Sequence, residues 1–360
     1  MPLRAFLDGQ EIISIGYSDD QWMELKQQIS EGSSLRLPCC SQPGFLRKSS
    51  RGLKHFVHAK SENVCDWKPE TTEHLWAKVE IVKACQANGW KAIPEFFEND
   101  WRADVLAIKN ESRIAFEVQW SRQTLEETML RQQRYKDANV RGCWFFRVPP
   151  KGMRSHDHSI YASKETPSFQ ILKNDEGDII VSLSNRTHSL QNFVGSLLNR
   201  KIRFCENYRL QPKQEVEINI FETDCWKCKK LQHLYTVSQN LLSVCAHDMY
   251  VMGSLWSSDD MDKSPAIVAA VRNIMKSPEG ADIKIGEVKH RYSKTINGQY
   301  LSHGCYYCDA IFGDFFLTTE KAYGSNAPDR SIFKRVVDLG TVKHEGAHWC
   351  YSENGLFCEH

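Results

Sequence analysis

The chain has no long hydrophobic run. Nowhere do about 18 apolar residues follow one another, so no membrane-spanning helix is expected. The opening stretch, MPLRAFLDGQEIISIGYSDD, contains acids and lacks the apolar core of a signal peptide, which points to a cytoplasmic protein. Charge of one sign is also missing: the formal net charge is +1. Any nucleic-acid partner must therefore be met by a local basic surface rather than by the field of the whole molecule. Internal repeats and low-complexity tracts are absent too, which sets aside solenoids and compositionally biased linkers. What remains is ordinary for a globular protein: 360 residues, 25% charged and 11% aromatic, enough for two or three domains with real cores.

Cysteine, by contrast, is plentiful, with 13 residues. In a reducing compartment these are thiols or metal ligands rather than disulfides. Two CxxC pairs, Cys225/Cys228 and Cys305/Cys308, have the spacing of two zinc knuckles that close one tetrahedral four-thiolate site. A closed site of that kind stabilises a fold and leaves no position open for substrate. The long chain between the knuckles makes this a split zinc ribbon with an insert. A second set, Cys39, Cys40, His55 and His58, has two readings: a further zinc site, or a small β-module whose histidines are hydrogen-bonded structural residues. Between its halves lie Arg47, Lys48, Arg51 and Lys54, which suit a phosphate backbone or simply a solvated loop. The tail, with His344, His348, Cys350, Cys358 and His360, and the SHDH stretch at 155–158 lack the order of a metal site.

Along the chain, SDDQWMELKQQISEG predicts a helix capped by Ser18 and closed before Gly32. Residues 31–66 are loop-rich. A long helix is expected from near Pro69 to NGW, with Leu75, Val79 and Val82 at helical spacing. A strand at KAIPEFF follows, then a hairpin over 102–120, a helix with Thr124 and Glu127 spaced as a capping box, and a buried strand GCWFFRVP. This α-β-β-β-α-β order implies a mixed sheet flanked by helices. From Pro149 to about Gln214 the chain reads as irregular, with one helix near SLQNFVGSLLNRK. A further helix is expected at SPAIVAAVRNIMKS.

The hairpin RADVLAIKNESRIAFEVQW carries the chemistry. With the turn centred on Asn110-Glu111, Asp104 lies opposite Glu117 and Leu106 opposite Ala115. Val105, Ala107, Ile114, Phe116 and Val118 form the core side, and period-two alternation sets Asp104, Glu117 and Gln119 on the other. Two facing carboxylates are tolerated if exposed, if one is protonated, or if a divalent cation joins them. Trp120 and Trp144 read as core residues.

In the order and spacing of HFVH, PETTEHLWAK, RADVLAI, FEVQWS and RQQRYKDANVRGCWFF, the chain resembles the competence protein CoiA family within the PD-(D/E)XK nuclease superfamily. The resemblance implies an α/β fold with a restriction-endonuclease-like core. It divides the chain into an N-terminal module (1–66), a nuclease core (67–150), a connecting segment (151–214), a split zinc ribbon (215–325) and a tail (326–360). It implies that Asp104 and Glu117, with the carbonyl of Val118, hold Mg²⁺ or Mn²⁺, and that Glu70 adds an outer ligand or orients water. Gln119 stands where the superfamily has lysine. CoiA-like proteins carry glutamine there, which can hydrogen-bond a phosphate or water but brings no charge.

Ser121 and Arg131 are candidates for phosphate contacts, Arg131 equally for a structural role near Tyr135. His74 shares a helix face with Glu70 and either supports the site or packs. The function implied is metal-dependent hydrolysis of DNA, set in DNA uptake, recombination, repair or defence. DNA is the expected partner, with a protein partner or a second copy besides. The alternative is a nucleic-acid-binding protein that keeps the nuclease fold without catalysis.

Overall fold

The computed structural model describes residues 2–50, 52–58, 70–153, 159–183, 186–237, 240–246, 248–250, 261–313, 316 and 330–359. The chain divides into two compact units, residues 1–205 with 347–355, and residues 206–346 with 356–360. Among the described residues no helix is long and apolar enough to cross a membrane.

The first unit begins with a three-stranded sheet, β1 (Arg4–Leu7), β2 (Gln10–Ile13) and β3 (Leu35–Arg36), in the order β2-β1-β3. Helix α1 (Asp19–Ser30) starts where Ser18 and Gln21 form a reciprocal capping box, and its Trp22 and Leu25 pack on Ala5, Leu37 and Phe56. The stretch expected as loop contains a hairpin, β4 (Gly44–Lys48) against β5 (Lys54–His58).

The centre of this unit is a seven-stranded sheet. Helix α2 (Thr72–Ala87) is capped by Thr71, whose side chain accepts the His74 N–H; Pro69, the expected start, lies outside the described residues. Strands β6 (Lys91–Glu98), β7 (Trp101–Lys109) and β8 (Ser112–Gln119) form an antiparallel meander. The hairpin register is the expected one, with Leu106 opposite Ala115. Helix α3 (Leu125–Asp137) then crosses over to β9 (Arg141–Phe146), parallel to β8.

Residues 151–214, expected to be largely irregular, instead extend the sheet. β10 (Ser168–Lys173), β11 (Ile179–Leu183) and β12 (Arg186–Ser189) give the order β12-β11-β10-β9-β8-β7-β6. Helix α4 (Leu190–Leu198) falls where it was predicted. The strands are short and their alternation is interrupted by turns, so periodicity alone does not reveal them. Phe169 and Ile171 nevertheless bury on the same side as Val105, Phe116 and Phe145, beneath α2 and α4. The opposite side, against α3, gathers Trp101, Leu106, Ala115, Tyr135 and Trp144. Trp144 is thus core, with its indole N–H donated to Gln132.

Strand β13 (Ile202–Arg209) leads into the second unit. There β14 (Lys213–Asp224) lies between β15 (Leu231–Val237) and β21 (Arg330–Asp338). β16 (Asn240–Leu242) pairs with β17 (Asp248–Tyr250). Helix α5 (Pro265–Lys276), also as predicted, buries Ile267, Val271 and Ile274 against Ile218, Ile220 and Tyr235. β18 (Lys289–Ser293), β19 (Gly298–Gly304) and β20 (Ile311–Phe312) form a small antiparallel sheet. The stretch expected as a tail contributes β21 and then β22 (Lys343–Tyr351).

Candidate active site and metal centres

Alternation along β7 breaks at Asp104. Trp101 and Ala103 belong to the α3 side of the sheet, yet Val105 and Ala107 belong to the α2 side. Across the ladder Glu95, flanked by the pairs Pro94–Val105 and Phe96–Ala103, has φ +45°. This local distortion turns Asp104 toward α2. Its Oδ2 lies 3.1 Å from His74 Nε2 and accepts the Val118 N–H at 2.8 Å. Burial alone would push this carboxyl up, but His74, the charge of Lys78 and the Val118 amide outweigh it and hold it well below the usual carboxylate range. His74 is raised in turn: burial disfavours its charge, and Asp104 more than compensates.

His74 and Lys78, four residues apart on α2, share a helix face, and Glu70, just before the cap, meets them there. Glu70 itself precedes the cap and is not in the first helical turn. Donor atoms of Glu70, His74 and Asp104 lie within 4.8 Å of one another. Lys78, with no side-chain exposure, sits 2.6 Å from Glu70 Oε2 and 2.6 Å from Glu95 Oε1. Glu95 also accepts the backbone N–H groups of Leu3 and Arg4, at 3.0 and 3.2 Å. The position of Glu70 is therefore fixed by a buried cation anchored on two further elements. Neither Lys78 nor Glu95 stood out in the sequence. The available signal was a lysine inside an otherwise apolar helix face and a glutamate inside an apolar strand.

Glu117 faces the other way. It is fully buried on the α3 side, with Oε2 2.5 Å from Arg131 Nη2 and Oε1 against the Tyr135 hydroxyl. Gln119 reaches the same carboxylate, its amide nitrogen 3.5 Å from Oε2. Burial pushes the Glu117 carboxyl up to about 7 against the pull of Arg131. The Tyr135 hydroxyl, which also lies 2.5 Å from the Arg102 carbonyl, pulls the same way as Arg131, and burial outweighs both.

Asp104 and Glu117 each adjoin the last pair of the β7–β8 ladder, Val105 and Phe116, but are held by different partners on different sides of the sheet. Val118 meets Asp104 through its N–H, whereas the resemblance implied its carbonyl as a ligand. Arg131 is occupied by Glu117 and lies over the Trp144 ring at 5.2 Å. Ser121 is exposed on the loop after β8.

The donors brought together are two carboxylates and an imidazole. Such a set fits a divalent cation, with oxygens for a hard ion and a nitrogen that moves preference from Mg²⁺ toward Mn²⁺. The residues that the resemblance implied therefore meet in part: Glu70 and Asp104 converge with His74, and Glu117 and Gln119 form a second group behind them.

In the second unit the four knuckle cysteines converge. Cys225 Sγ is 3.6 Å from Cys308 Sγ, and Cys228 Sγ is 3.7 Å from Cys305 Sγ. A tetrahedral four-thiolate zinc with bonds of ~2.3 Å needs sulfurs about 3.7 Å apart. The two knuckles repeat each other: the N–H of Lys229 returns to Cys225 O and that of Asp309 to Cys305 O. Both Lys229 and Asp309 sit at positive φ, 56° and 57°. Burial would raise the Cys225 thiol, but the amides of Cys228 and Lys227 bring it down to about 7.

In the N-terminal set, Cys39, Cys40 and His58 come together, with sulfurs 3.5 and 3.7 Å from the His58 ring nitrogens. His55 does not join them. It is buried, with Nδ1 3.1 Å from the Leu53 carbonyl. Of the basic cluster, Lys48 and Lys54 pair with Asp19, Arg47 lies on β4, and Arg51 is outside the described residues, as is the 155–158 stretch.

Residues 70–225 match the family described as competence protein CoiA, nuclease-like domain. No curated protein matches the chain. The matched segment runs from the glutamate before α2, through the whole seven-stranded sheet, to the first knuckle cysteine.

Proposed function

We propose, from the premise that residues 70–225 form a CoiA nuclease-like domain, that the chain is a metal-dependent nuclease hydrolysing phosphodiester bonds of DNA. The observation that carries this reading is the convergence of Glu70, His74 and Asp104 within 4.8 Å. These three residues would hold a divalent cation, which polarises the scissile phosphate and acidifies the attacking water. Asp104 is suited to this because its partners keep it ionised across the working pH range.

Lys78 keeps Glu70 in place from within the core. Gln119, partly buried at the end of β8, supplies an amide that can donate to a phosphate oxygen or to water. Glu117 keeps Arg131 at the back of the site, so that an approaching phosphate meets the guanidinium only in competition with this carboxylate. Two of the cysteine groups are read as zinc sites: a four-thiolate structural ion in the second unit, and a three-donor site at Cys39, Cys40 and His58 in the first.

The purified chain with Mn²⁺ should cleave DNA. Asp104→Ala and His74→Ala should abolish cleavage, and a chelator that strips Mn²⁺ should do the same. Absence of cleavage with Mn²⁺ or Mg²⁺ by a chain that still binds DNA would defeat the nuclease reading. It would favour the second one, a nucleic-acid-binding protein on a nuclease fold. The engagement of Glu117 by Arg131 and the uncharged Gln119 are what support that second reading.

A further inference from the structure

The zinc knuckles carry three exposed aromatic side chains close together. Trp226, Tyr306 and Tyr307 follow the first cysteine of each knuckle and are 57%, 51% and 39% exposed. Around them Lys227, Lys229, Lys230 and Lys284 are exposed, and none has an ion-pair partner among the described residues. Several other surface lysines, Lys48, Lys136, Lys173 and Lys201, are taken by carboxylates.

The aromatic rings stand on a fixed base. Gln232 accepts the Tyr306 N–H at 2.8 Å, and Cys305 Sγ accepts the Tyr307 N–H at 3.3 Å. The two tyrosines meet edge to face at 5.2 Å. The ammonium groups of Lys230 and Lys284 lie 4.9 and 6.0 Å from the Tyr307 ring.

We propose that this knuckle surface, centred on Tyr306, Tyr307, Lys230 and Lys284, binds single-stranded nucleic acid, with bases stacked on the rings and phosphates at the ammonium groups. Flat aromatic faces beside unpaired positive charge match a strand whose bases are unstacked. In a duplex the base faces are already used, and only the phosphates remain to be met. This proposal rests on the nucleic-acid reading of the nuclease domain and adds the strandedness of the ligand and the place where it is held.

The test uses the full chain with its zinc retained and without added Mn²⁺ or Mg²⁺, so that no cleavage intervenes. Fluorescence anisotropy with oligo-dT of about 15 nucleotides, and with a duplex of the same length, gives the affinities. Tyr306→Ala/Tyr307→Ala should weaken oligo-dT binding by roughly fivefold or more, and duplex binding by less. Tyr306→Phe/Tyr307→Phe should bind as the unaltered chain does. Lys230→Gln/Lys284→Gln should weaken binding and lower the dependence of log affinity on log salt by about 1.4, the contribution of two phosphates on a single strand.

Zinc content reports whether the knuckles are intact. Should the alanine pair lose zinc, the lysine pair decides. An oligo-dT loss smaller than fivefold in a zinc-bearing alanine pair, or an unchanged salt dependence in the lysine pair, overturns the proposal. Cleavage is scored separately with Mn²⁺: its absence would count against the nuclease reading alone, and unaltered oligo-dT binding by the variants against this one alone.

Discussion

Lys78 carries its charge at a point where α2 is otherwise packed with Ala77, Val79, Ile81 and Val82. Removing the ammonium would leave Glu70 and Glu95 facing each other in the core. Lys78→Met should therefore destabilise by ~3–5 kcal/mol in urea unfolding, the cost of stranding a buried charge. Lys78→Met/Glu95→Gln, which removes one of the stranded acids, should recover part of that loss.

Glu117 makes a prediction about pH. Its folded pKa, about 7, is above the ordinary carboxyl value of 4.5, so the folded state holds the proton more tightly than the unfolded chain does. The stability this contributes is complete below about 4.5 and is lost as pH rises through 7, with a slope of at most ~1.4 kcal/mol per pH unit. Unfolding midpoints between pH 5 and 8 should fall more steeply for the unaltered chain than for Glu117→Gln. Equal slopes would mean that Arg131 keeps Glu117 ionised.

At the scale of elements, helix starts and knuckles are where local chemistry decides the structure. Ser18 closes a full capping box on α1, and Ser18→Ala should cost ~1 kcal/mol in unfolding free energy. On α3 half of the expected box forms: Thr124 accepts the Glu127 N–H, and the reciprocal bond is not among the contacts of that cap. The ribbon tolerates less. A Cβ placed on Gly286 would fall 2.1 Å from the Gly304 carbonyl oxygen, and a backbone atom in the small sheet has nowhere to go. Gly286→Ala should lower zinc retention during dialysis against a chelator, compared with the unaltered chain. Cys225→Ser should lose that zinc outright.

For the whole molecule, the knuckle cluster Cys225, Cys228, Cys305, Cys308 and the N-terminal cluster Cys39, Cys40, His58 have separate consequences because they belong to different units. Elemental analysis of the purified chain should find at least two zinc ions. Cys39→Ser/Cys40→Ser should bring the count down by one and leave the Cys225–Cys308 site filled. A zinc count unchanged by Cys39→Ser/Cys40→Ser would show that the three-donor N-terminal cluster is not a metal site.

The hairpin register, the order of elements from α2 to β9, the positions of α4 and α5 and the pairing of the knuckles were all legible in the sequence. Each depends on short-range rules, the periods of 3.6 and 2, turn residues and CxxC spacing, which hold regardless of what packs nearby. Residues 168–189 escaped because strands of four to six residues acquire their identity from the neighbours they pair with, here β9 and one another. The direction of Asp104 was likewise beyond reach of the sequence. Alternation placed it beside Glu117, and only a break in β7 opposite the positive φ of Glu95, together with His74 and Lys78 on α2, turned it to the other side. Which residue types could bind a cation was written in the chain. Which of them share one was decided by packing, because long-range contacts set the orientation of a side chain that strand periodicity leaves open.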